Sequence, residues 1–535
     1  MNARHGLFAL AVALLAAGLA LAPQGQAVAQ KRGGTLVYMV PASGAPSLDG
    51  HRETTFATVQ PTAPYYSLLI RVDPRSKLGK DIGGDLATDW TVSPDKKTYT
   101  FKIKKGVKFH DGSVLTSKDV LASWNKIVSP QEGVVSARSA FFAMVDSITT
   151  PDDHTIVFKL KFPSGAFLPA VAMPFNYIYP AAVLAKDQHY FEKNVLGSGP
   201  FKLVEFVPGG KLVGTRFNDY HVAGLPYLDG IEAIYSPKQN VQVQAIRGGR
   251  AHSMFRGLPP AARDDLVRAM GDGVTAQEST WNCALLFSAN SYRKPFDDVR
   301  VRRALNLSLD RWGGSRYLSK IGIVKTVGGA VFPGHPLAPS EAQLKTLEGF
   351  QPDVKASRAK ARQLLKEAGV PEGFKFTFMN RSTDQPYKVV GTWLIDQWRQ
   401  VGLQVEQEVV PTAQMWQRLR LPEGGDWDGT MHFNCQSLVN PTLDIAPYTS
   451  KSEQNYSDFY DKEVDALFDQ QMREGDPAKQ KELMWKIEQR VYAQAGIIST
   501  LWWHRIVVSS SKMKFWEVTP SHYLNMQLEN VWLDQ

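Results

Sequence analysis

Cysteine is scarce in this chain of 535 residues, since only Cys283 and Cys435 occur. Neither belongs to a CxxC pair, and two cysteines without suitably spaced histidines do not make a zinc site. The sequence leaves two interpretations open. The two residues form one disulfide, or they are two separate buried thiols.

Catalytic and cofactor-binding motifs are also missing. There is no GxSxG, no HExxH and no P-loop, and no GxGxxG follows a predicted strand. S-x-x-K matches occur, among them those that begin at Ser123, Ser357 and Ser509, but none is accompanied by SDN or KTG. The eleven histidines form no HxH and no i, i+4 pair. We therefore predict no catalytic residue, no metal site and no cofactor.

Long apolar runs are absent except at the N-terminus. Arg4 precedes an apolar run from Leu7 to Ala22, and Ala27-Val28-Ala29 fits a small-x-small cleavage site. This order predicts a secretory signal peptide over residues 1–29. The run is shorter than the roughly 20 residues that a membrane span needs, and no cysteine lies directly after it to carry a lipid. We expect a soluble periplasmic chain that is not a lipoprotein.

Positive charge is in modest excess but is not clustered. The net charge of +9 loses one arginine with the predicted signal peptide and becomes about +8. The densest basic run, Lys96 to Lys108, contains TYTFKIK, whose alternation places the lysines on the solvent face of a strand. Nucleic-acid binding requires basic residues concentrated on one face, so we predict no nucleic-acid partner.

The first half of the chain predicts a small α+β unit over about 78–190. SPDKKTYTFKIK (93–104) and TPDDHTIVFKLK (150–161) share a Pro-Asp turn followed by an alternating strand. Between them, Thr116 and Asp119 fit the capping box at the start of a helix. The predicted unit is therefore a helix packed between antiparallel strands.

The second half predicts a parallel βαβ arrangement. Strands over 374–379 and 403–410 flank an amphipathic helix, which is typical of a mostly parallel sheet. Two further helices are predicted over 461–472 and 477–494, the second capped by Asp476. The apolar stretch 497–508 predicts a buried strand near the C-terminus.

One histidine stands beside an aspartate and needs an interpretation. In KKGVKFHDGSVLTSKDV (104–120), Asp111-Gly112 is a strong turn dipeptide, because Gly accepts positive φ and Asp bonds local backbone groups. We interpret His110-Asp111-Gly112 as a structural turn; a ligand contact and a catalytic pair are the alternatives.

These stretches fall in the order of a known family. YTFKIKKGVKFHDGSVLTSKDVLASWNKI resembles the signature of family 5 extracytoplasmic solute-binding proteins, the oligopeptide-, dipeptide- and nickel-binding receptors of ABC importers. The other stretches that resemble family motifs are SLDGHRET (47–54), LGSGPFKLVEF (196–206), KPFDDVRVRRALNLSLDR (294–311) and NYSDFYDKEVDALFDQ (455–470). The resemblance covers essentially the whole mature chain.

The resemblance implies an α/β fold of the class II periplasmic-binding-protein type. It has two lobes, with an extra α+β domain inserted in the N-terminal lobe. We expect an N-terminal lobe over 30–280 with the insertion at about 78–190, a C-terminal lobe over 281–499, and a return of the chain over 500–535. A solute would bind between the lobes, and the closed form of a monomer would dock on an inner-membrane ABC permease with its ATPase.

The family's peptide receptors carry W-x-x-D-Y-x-D-P, whose first aspartate pairs with the peptide ammonium group. The corresponding stretch here is NCQSLVNP (434–441). Asn434 replaces the aromatic residue, Ser437 the aspartate and Asn440 the second acid, while Asp428 and Asp444 flank the stretch. A charge-assisted hydrogen bond contributes about 1.5–3 kcal/mol. Peptides would then be held through their backbone, or the receptor has been retuned to a ligand without a free amine.

Five further ligand-binding residues are implied by position in the family: Trp416, Thr54, Phe56, Trp281 and Asn282. A core position is the alternative for Trp416, and a hinge is the alternative for Trp281 and Asn282. Arg418 and Arg420 would meet an anionic ligand or lie on the solvated surface.

We expect a periplasmic solute-binding receptor of an ABC importer that takes a short peptide or peptide-like compound. The alternative ligands are an oligosaccharide, an organic acid, an amino-acid derivative and a nickel chelate. A periplasmic enzyme or chaperone on the same fold is the alternative of another class.

Overall fold

The computed structural model describes residues 30–419, 421, 424–452 and 454–535. The predicted signal peptide and Arg420 lie outside the described residues. None of the helices in these ranges is both long and apolar enough to cross a membrane.

The secondary structure alternates strands and helices along most of the chain. The strands are β1 (Thr35–Val40), β2 (Ile70–Val72), β3 (Ile82–Gly84), β4 (Ala87–Val92), β5 (Thr98–Ile103), β6 (Val145–Asp152), β7 (Thr155–Leu160), β8 (Phe201–Val207), β9 (Lys211–Arg216), β10 (Gly230–Tyr235), β11 (Ser253–Met254), β12 (Val274–Ala289), β13 (Val324–Thr326), β14 (Lys375–Arg381), β15 (Gln404–Val410), β16 (Gly429–Cys435), β17 (Ile497–Ser510), β18 (Met513–Lys514) and β19 (Trp532–Leu533). The helices are α1 (Phe56–Thr62), α2 (Ser117–Val128), α3 (Phe167–Val171), α4 (Ala181–Leu184), α5 (Gln239–Arg247), α6 (Pro260–Met270), α7 (Val299–Leu307), α8 (Arg311–Ile321), α9 (Glu341–Leu344), α10 (Val354–Glu367), α11 (Val389–Arg399), α12 (Thr412–Leu419), α13 (Pro441–Ile445), α14 (Lys462–Arg473) and α15 (Pro477–Gln494).

Two long strands connect the two halves of the main sheet. The strand order is β15-β14-β16-β12-β17-β11-β1-β10-β9-β8, with β13 also on β17. β12 and β17 are antiparallel from the Val274–Ser510 pair to the Ser288–Ile497 pair. Their register shifts between Thr280 and Leu286. Separate hydrophobic cores lie at the two ends of these strands.

The βαβ prediction for the second half is confirmed. β14 pairs in parallel with β15 along its full length, and α11 connects the two strands. The predicted N-cap is also present, because the Asp476 side chain accepts from the first turn of α15. Asp461, predicted as the first residue of a helix, is instead the N-cap of α14. The C-terminal apolar stretch forms β17, as predicted.

The predicted α+β unit is a four-stranded antiparallel sheet with α2 packed on it. Its strand order is β4-β5-β7-β6, and Thr116 and Asp119 form the expected capping box on α2. The core of this unit also receives Leu438 and Leu443 from the far half of the chain. The unit therefore contacts the segment that follows β16.

The His110-Asp111-Gly112 segment is a structural turn, as interpreted. Asp111 accepts hydrogen bonds from the backbone and hydroxyl of Ser113, and Gly112 has a φ of +90°. The buried imidazole of His110 is hydrogen-bonded to the carbonyl of Gly199 over 3.1 Å. Nε2 of His110 therefore already has a hydrogen-bond partner within the fold.

The two cysteines form one disulfide, which settles the alternatives left open by the sequence. Cys283 and Cys435 are directly opposite each other on β12 and β16, with Cα atoms 4.0 Å apart. The bond closes a segment of 152 residues and lies where β12 passes from one core to the other.

Candidate functional site

A belt of aromatic rings lies along the middle of β12 and β17. Trp281 of β12 packs edge-on against Trp503 of β17, with ring centroids 5.0 Å apart. Trp503 in turn lies 5.9 Å from Tyr387 and 6.3 Å from Phe433 of the C-terminal lobe. Phe433 continues the contacts to Trp416, at 6.0 Å. We refer to these five rings, with Phe56, as the aromatic belt.

Arg256 joins the belt to the N-terminal lobe. Its guanidinium carbon is 4.9 Å from the ring of Phe56, 5.5 Å from that of Trp281 and 5.3 Å from that of Trp503. Distances below about 6 Å favour cation–π attraction. Gly257 permits this packing, because a Cβ there would lie 2.9 Å from the Trp281 ring.

Arg505 fixes the backbone that carries Arg256. This fully buried arginine donates to the carbonyls of Arg256 at 3.2 Å, Thr519 at 2.7 Å and Ser521 at 2.9 Å, and also to that of Phe255. It thereby ties the segment after β11 to the segment that follows β18, and both segments face the belt.

His522 stabilises the Trp281 side of the belt. The indole N–H of Trp281 donates to Nδ1 of His522 over 2.8 Å, so Nδ1 carries no proton. Burial, followed by the charges of Arg256 and Arg505, holds the pKa of His522 well below its usual value. The imidazole is therefore neutral and acts as an acceptor.

Arg381 approaches the belt from the C-terminal lobe. Its guanidinium carbon is 4.8 Å from the Tyr387 ring and 5.7 Å from the Phe433 ring. The pKa of Arg256 is lowered to about 10, first by burial and also by the charge of Arg381, while Tyr387 and Tyr523 oppose the shift. Arg256 therefore remains charged at neutral pH.

Three of the predicted site residues lie in the belt. Phe56 and Trp281 contact Arg256 directly, and Trp416 packs against Phe433 and, at 5.7 Å, Tyr456. Thr54 is exposed and precedes the N-cap of α1.

The remaining predicted residues have structural contacts. Asn282 donates to the carbonyl of Leu438 at 2.7 Å and links β12 to the loop after β16. The Asn434 amide donates to the carbonyl of Asp444 and accepts from Gln436, and Asn440 caps α13. These contacts use amide groups that the resemblance assigned to a ligand.

Ser437 lies in the loop between β16 and α13 and is 7% exposed. The flanking acids do not replace the missing aspartate there. Asp428 pairs with Arg293 at the far end of β16, and Asp444 is buried and accepts from the backbone of Phe332. Arg418 is held by Glu408 and Asp426.

Sequence reasoning missed Arg256, Tyr387, Phe433 and Trp503. Strand alternation places Phe433, not its neighbour Asn434, on the belt side of β16. Trp503 lies in an apolar strand, and the sequence pattern of that strand predicts a core position. Arg256 belongs to no recognised sequence motif, and only its contacts with distant segments identify it as a candidate site residue.

Family membership follows from comparison with known proteins. The family model for bacterial extracellular solute-binding proteins, family 5, matches residues 81–456. The glutathione-binding protein of Pectobacterium atrosepticum is 28% identical over 332 residues, which are 62% of this chain and 61% of that protein. The dipeptide-binding protein of Escherichia coli K12 is 26% identical over 434 residues, 75% of each chain.

Solved structures confirm the predicted two-lobed fold. The ABC transporter-associated periplasmic binding protein DppA of Helicobacter pylori, in complex with the peptide STSA, superposes with a TM-score of 0.81 at 23% identity; the match covers 94% of this chain and 99% of that chain. AgaA of A. tumefaciens R10, in complex with agropinic acid, gives a TM-score of 0.80 at 22% identity, with coverage of 94% and 99%. The chain belongs to family 5 of the bacterial extracellular solute-binding proteins.

Proposed function

We propose that this protein is the periplasmic receptor of an ABC import system and that it takes short peptides or peptide-like compounds. The observation that supports this proposal most strongly is the aromatic belt, in which rings from both lobes of a family 5 chain lie at one site. The receptor encloses the solute between the lobes as a monomer and delivers it to an inner-membrane permease and its ATPase. Binding is the whole function, without a covalent step.

The peptide assignment is supported by relatives whose names specify dipeptide and glutathione binding. Phe56 and Trp416, whose side chains are partly exposed, supply apolar walls that tolerate varied side chains. Backbone groups of the loop around Ser437 hold the peptide in place of a charged pair.

The lobes hinge where β12 and β17 change register. The shift between Thr280 and Leu286 coincides with the expected lobe boundary at 280/281. The inserted unit at about 78–190 moves with the N-terminal lobe, because Lys126 of α2 forms a buried ion pair with Asp49.

An organic acid without a free amine is the second candidate ligand. The observation that favours it is the uncharged Ser437 at the place of the family's aspartate. One relative of the same fold was solved with agropinic acid.

Thermal unfolding of the ligand-stripped chain from Gln30 tests the proposal. A pool of di- and tripeptides that includes glutathione is added. A ligand at 100 times its Kd contributes about 2.7 kcal/mol, which raises the midpoint of a chain this size by about 2–3 °C. The Phe56→Ala variant should show a smaller shift, whereas Tyr317→Ala, at an exposed helical site, should respond like the parent.

An unchanged midpoint with every peptide would contradict the peptide assignment. If deletion of the gene also left the uptake of peptides and organic acids unchanged, the receptor role itself would be wrong.

A further inference from the structure

Arg256 differs from every other deeply buried arginine that the structure describes. Five arginines are at least nine-tenths buried: Arg138, Arg256, Arg302, Arg311 and Arg505. The other four donate hydrogen bonds to backbone carbonyls. The Arg256 guanidinium is instead surrounded by rings, and its buried Nε has no hydrogen-bond partner.

The surroundings of this guanidinium are positively charged. Arg505 bonds the carbonyl of Arg256 itself, and Arg381 approaches from the opposite lobe. No salt bridge within the described ranges joins Arg256 to an aspartate or glutamate. The three rings attract the Arg256 cation but supply no counter-charge. A buried cation without a counter-charge costs folding free energy, which points to an anion supplied from outside.

The walls around Arg256 restrict the rest of such a ligand. Rings of Phe56, Trp281 and Trp503 surround the guanidinium, and Phe56 is partly exposed, so it offers an apolar wall beside the anionic group. A guanidinium matches the two oxygens of a carboxylate in a bidentate geometry.

We propose that Arg256 binds a carboxylate of the solute, whose apolar body packs against the aromatic belt, with Arg381 contributing positive charge from the other lobe. This inference rests on the proposed receptor function and names the chemical class of its ligand. A free amine is not required, because Ser437 carries no charge.

Matched acid and amide probes test the proposal by calorimetry. The probes are Ala-Phe, N-acetyl-Ala-Phe, Ala-Phe amide, 3-phenylpropionate and 3-phenylpropionamide. We compare the parent protein with Arg256→Met, Arg256→Lys and the control Arg268→Gln at an exposed position of α6. In the parent, each acid should bind roughly 10- to 100-fold more tightly than its amide.

Arg256→Met should abolish that preference and Arg256→Lys should keep part of it, while Arg268→Gln should match the parent. The ligand-free Arg256→Met protein should melt at the parent's midpoint or above it, since an apolar side chain replaces an unpaired charge. If Arg256 served only to stabilise the fold, Arg256→Met would instead lower the midpoint of thermal unfolding.

The inference is overturned if Arg256→Met retains the acid preference, or if no acid of either series binds the parent. Equal binding of Ala-Phe and its amide overturns it while leaving the peptide receptor intact. Binding of 3-phenylpropionate that depends on Arg256, without binding of any peptide, supports it and removes the peptide assignment.

Discussion

Replacement of Glu488 should flatten the pH dependence of stability in the C-terminal lobe. Glu488 of α15 is fully buried, and its two carboxyl oxygens accept from the backbone of Ala330 at 2.8 Å and Val331 at 2.9 Å. Burial raises the pKa of Glu488 to about 7, although these two hydrogen bonds act in the opposite direction.

The sign of the effect follows from this raised pKa. Below about pH 4.5 the carboxyl is protonated in the folded and the unfolded chain, and it imposes no penalty. Between about pH 4.5 and 7 the unfolded chain releases the proton first, so stability falls as the pH rises. A shift from 4.5 to about 7 corresponds to roughly 3 kcal/mol, or about 3 °C in midpoint for roughly 500 residues.

Thermal unfolding of the parent and of Glu488→Gln is measured from pH 4 to 8, and the difference between their midpoints is plotted. Burial raises the pKa of Asp444, and the charge of Glu488 adds to this, so the difference between the curves includes the coupling between the two carboxyl groups. We expect the parent to lose about 3 °C relative to the variant across this range. The control Glu482→Gln, at an exposed site on the same helix, should show no comparable loss. Parallel curves for the parent and Glu488→Gln would refute the reasoning.

Two further predictions concern the disulfide and the loop after β16. Replacement of Cys283 and Cys435 by Ala should lower stability by about 2–5 kcal/mol, because the bond closes 152 residues; equal denaturation midpoints with and without the bond would contradict this. Ser437→Asp should make free Ala-Phe bind about 10-fold more tightly than N-acetyl-Ala-Phe, whereas Ser437→Asn should show no such preference. If Ser437→Asp and Ser437→Asn respond alike in calorimetry, Ser437 does not face the ligand amine.

Local structure was largely predictable from the sequence because short-range chemistry determines it. The capping box at Thr116, the N-cap at Asp476 and the Asp111-Gly112 turn all involve groups within a few residues of each other. Hydrophobic periodicity gave β14, α11 and β15 for the same reason. The boundaries of these elements in the structure differ from the predicted boundaries by one or two residues.

The site was only partly predictable, because it assembles from distant segments. Phe56, Trp281 and Trp416 were predicted from family position and do lie in the belt. Asn434 and Asn440 occupy the family's binding stretch, yet their amides stabilise the loop and α13. The position of a residue in a family motif does not predict its contacts when the residue type differs from that of the family.

Arg256 is the clearest example of a site residue that a single sequence does not identify. The rings around it come from α1, β12 and β17, and the absence of an acidic partner among the described residues is visible only when these three elements are assembled. The disulfide likewise required the register of β12 against β16. A single sequence contains neither pairing.

The most direct test of the account is native mass spectrometry of the exported protein, purified without denaturation from cells that produce it. The account predicts one bound solute per chain, which is released on unfolding, carries a carboxylate and is not retained by Arg256→Met. A protein that carries no solute, and that retains none from a mixture of peptides and aromatic carboxylates, would contradict the central claim that this chain is a receptor for such compounds.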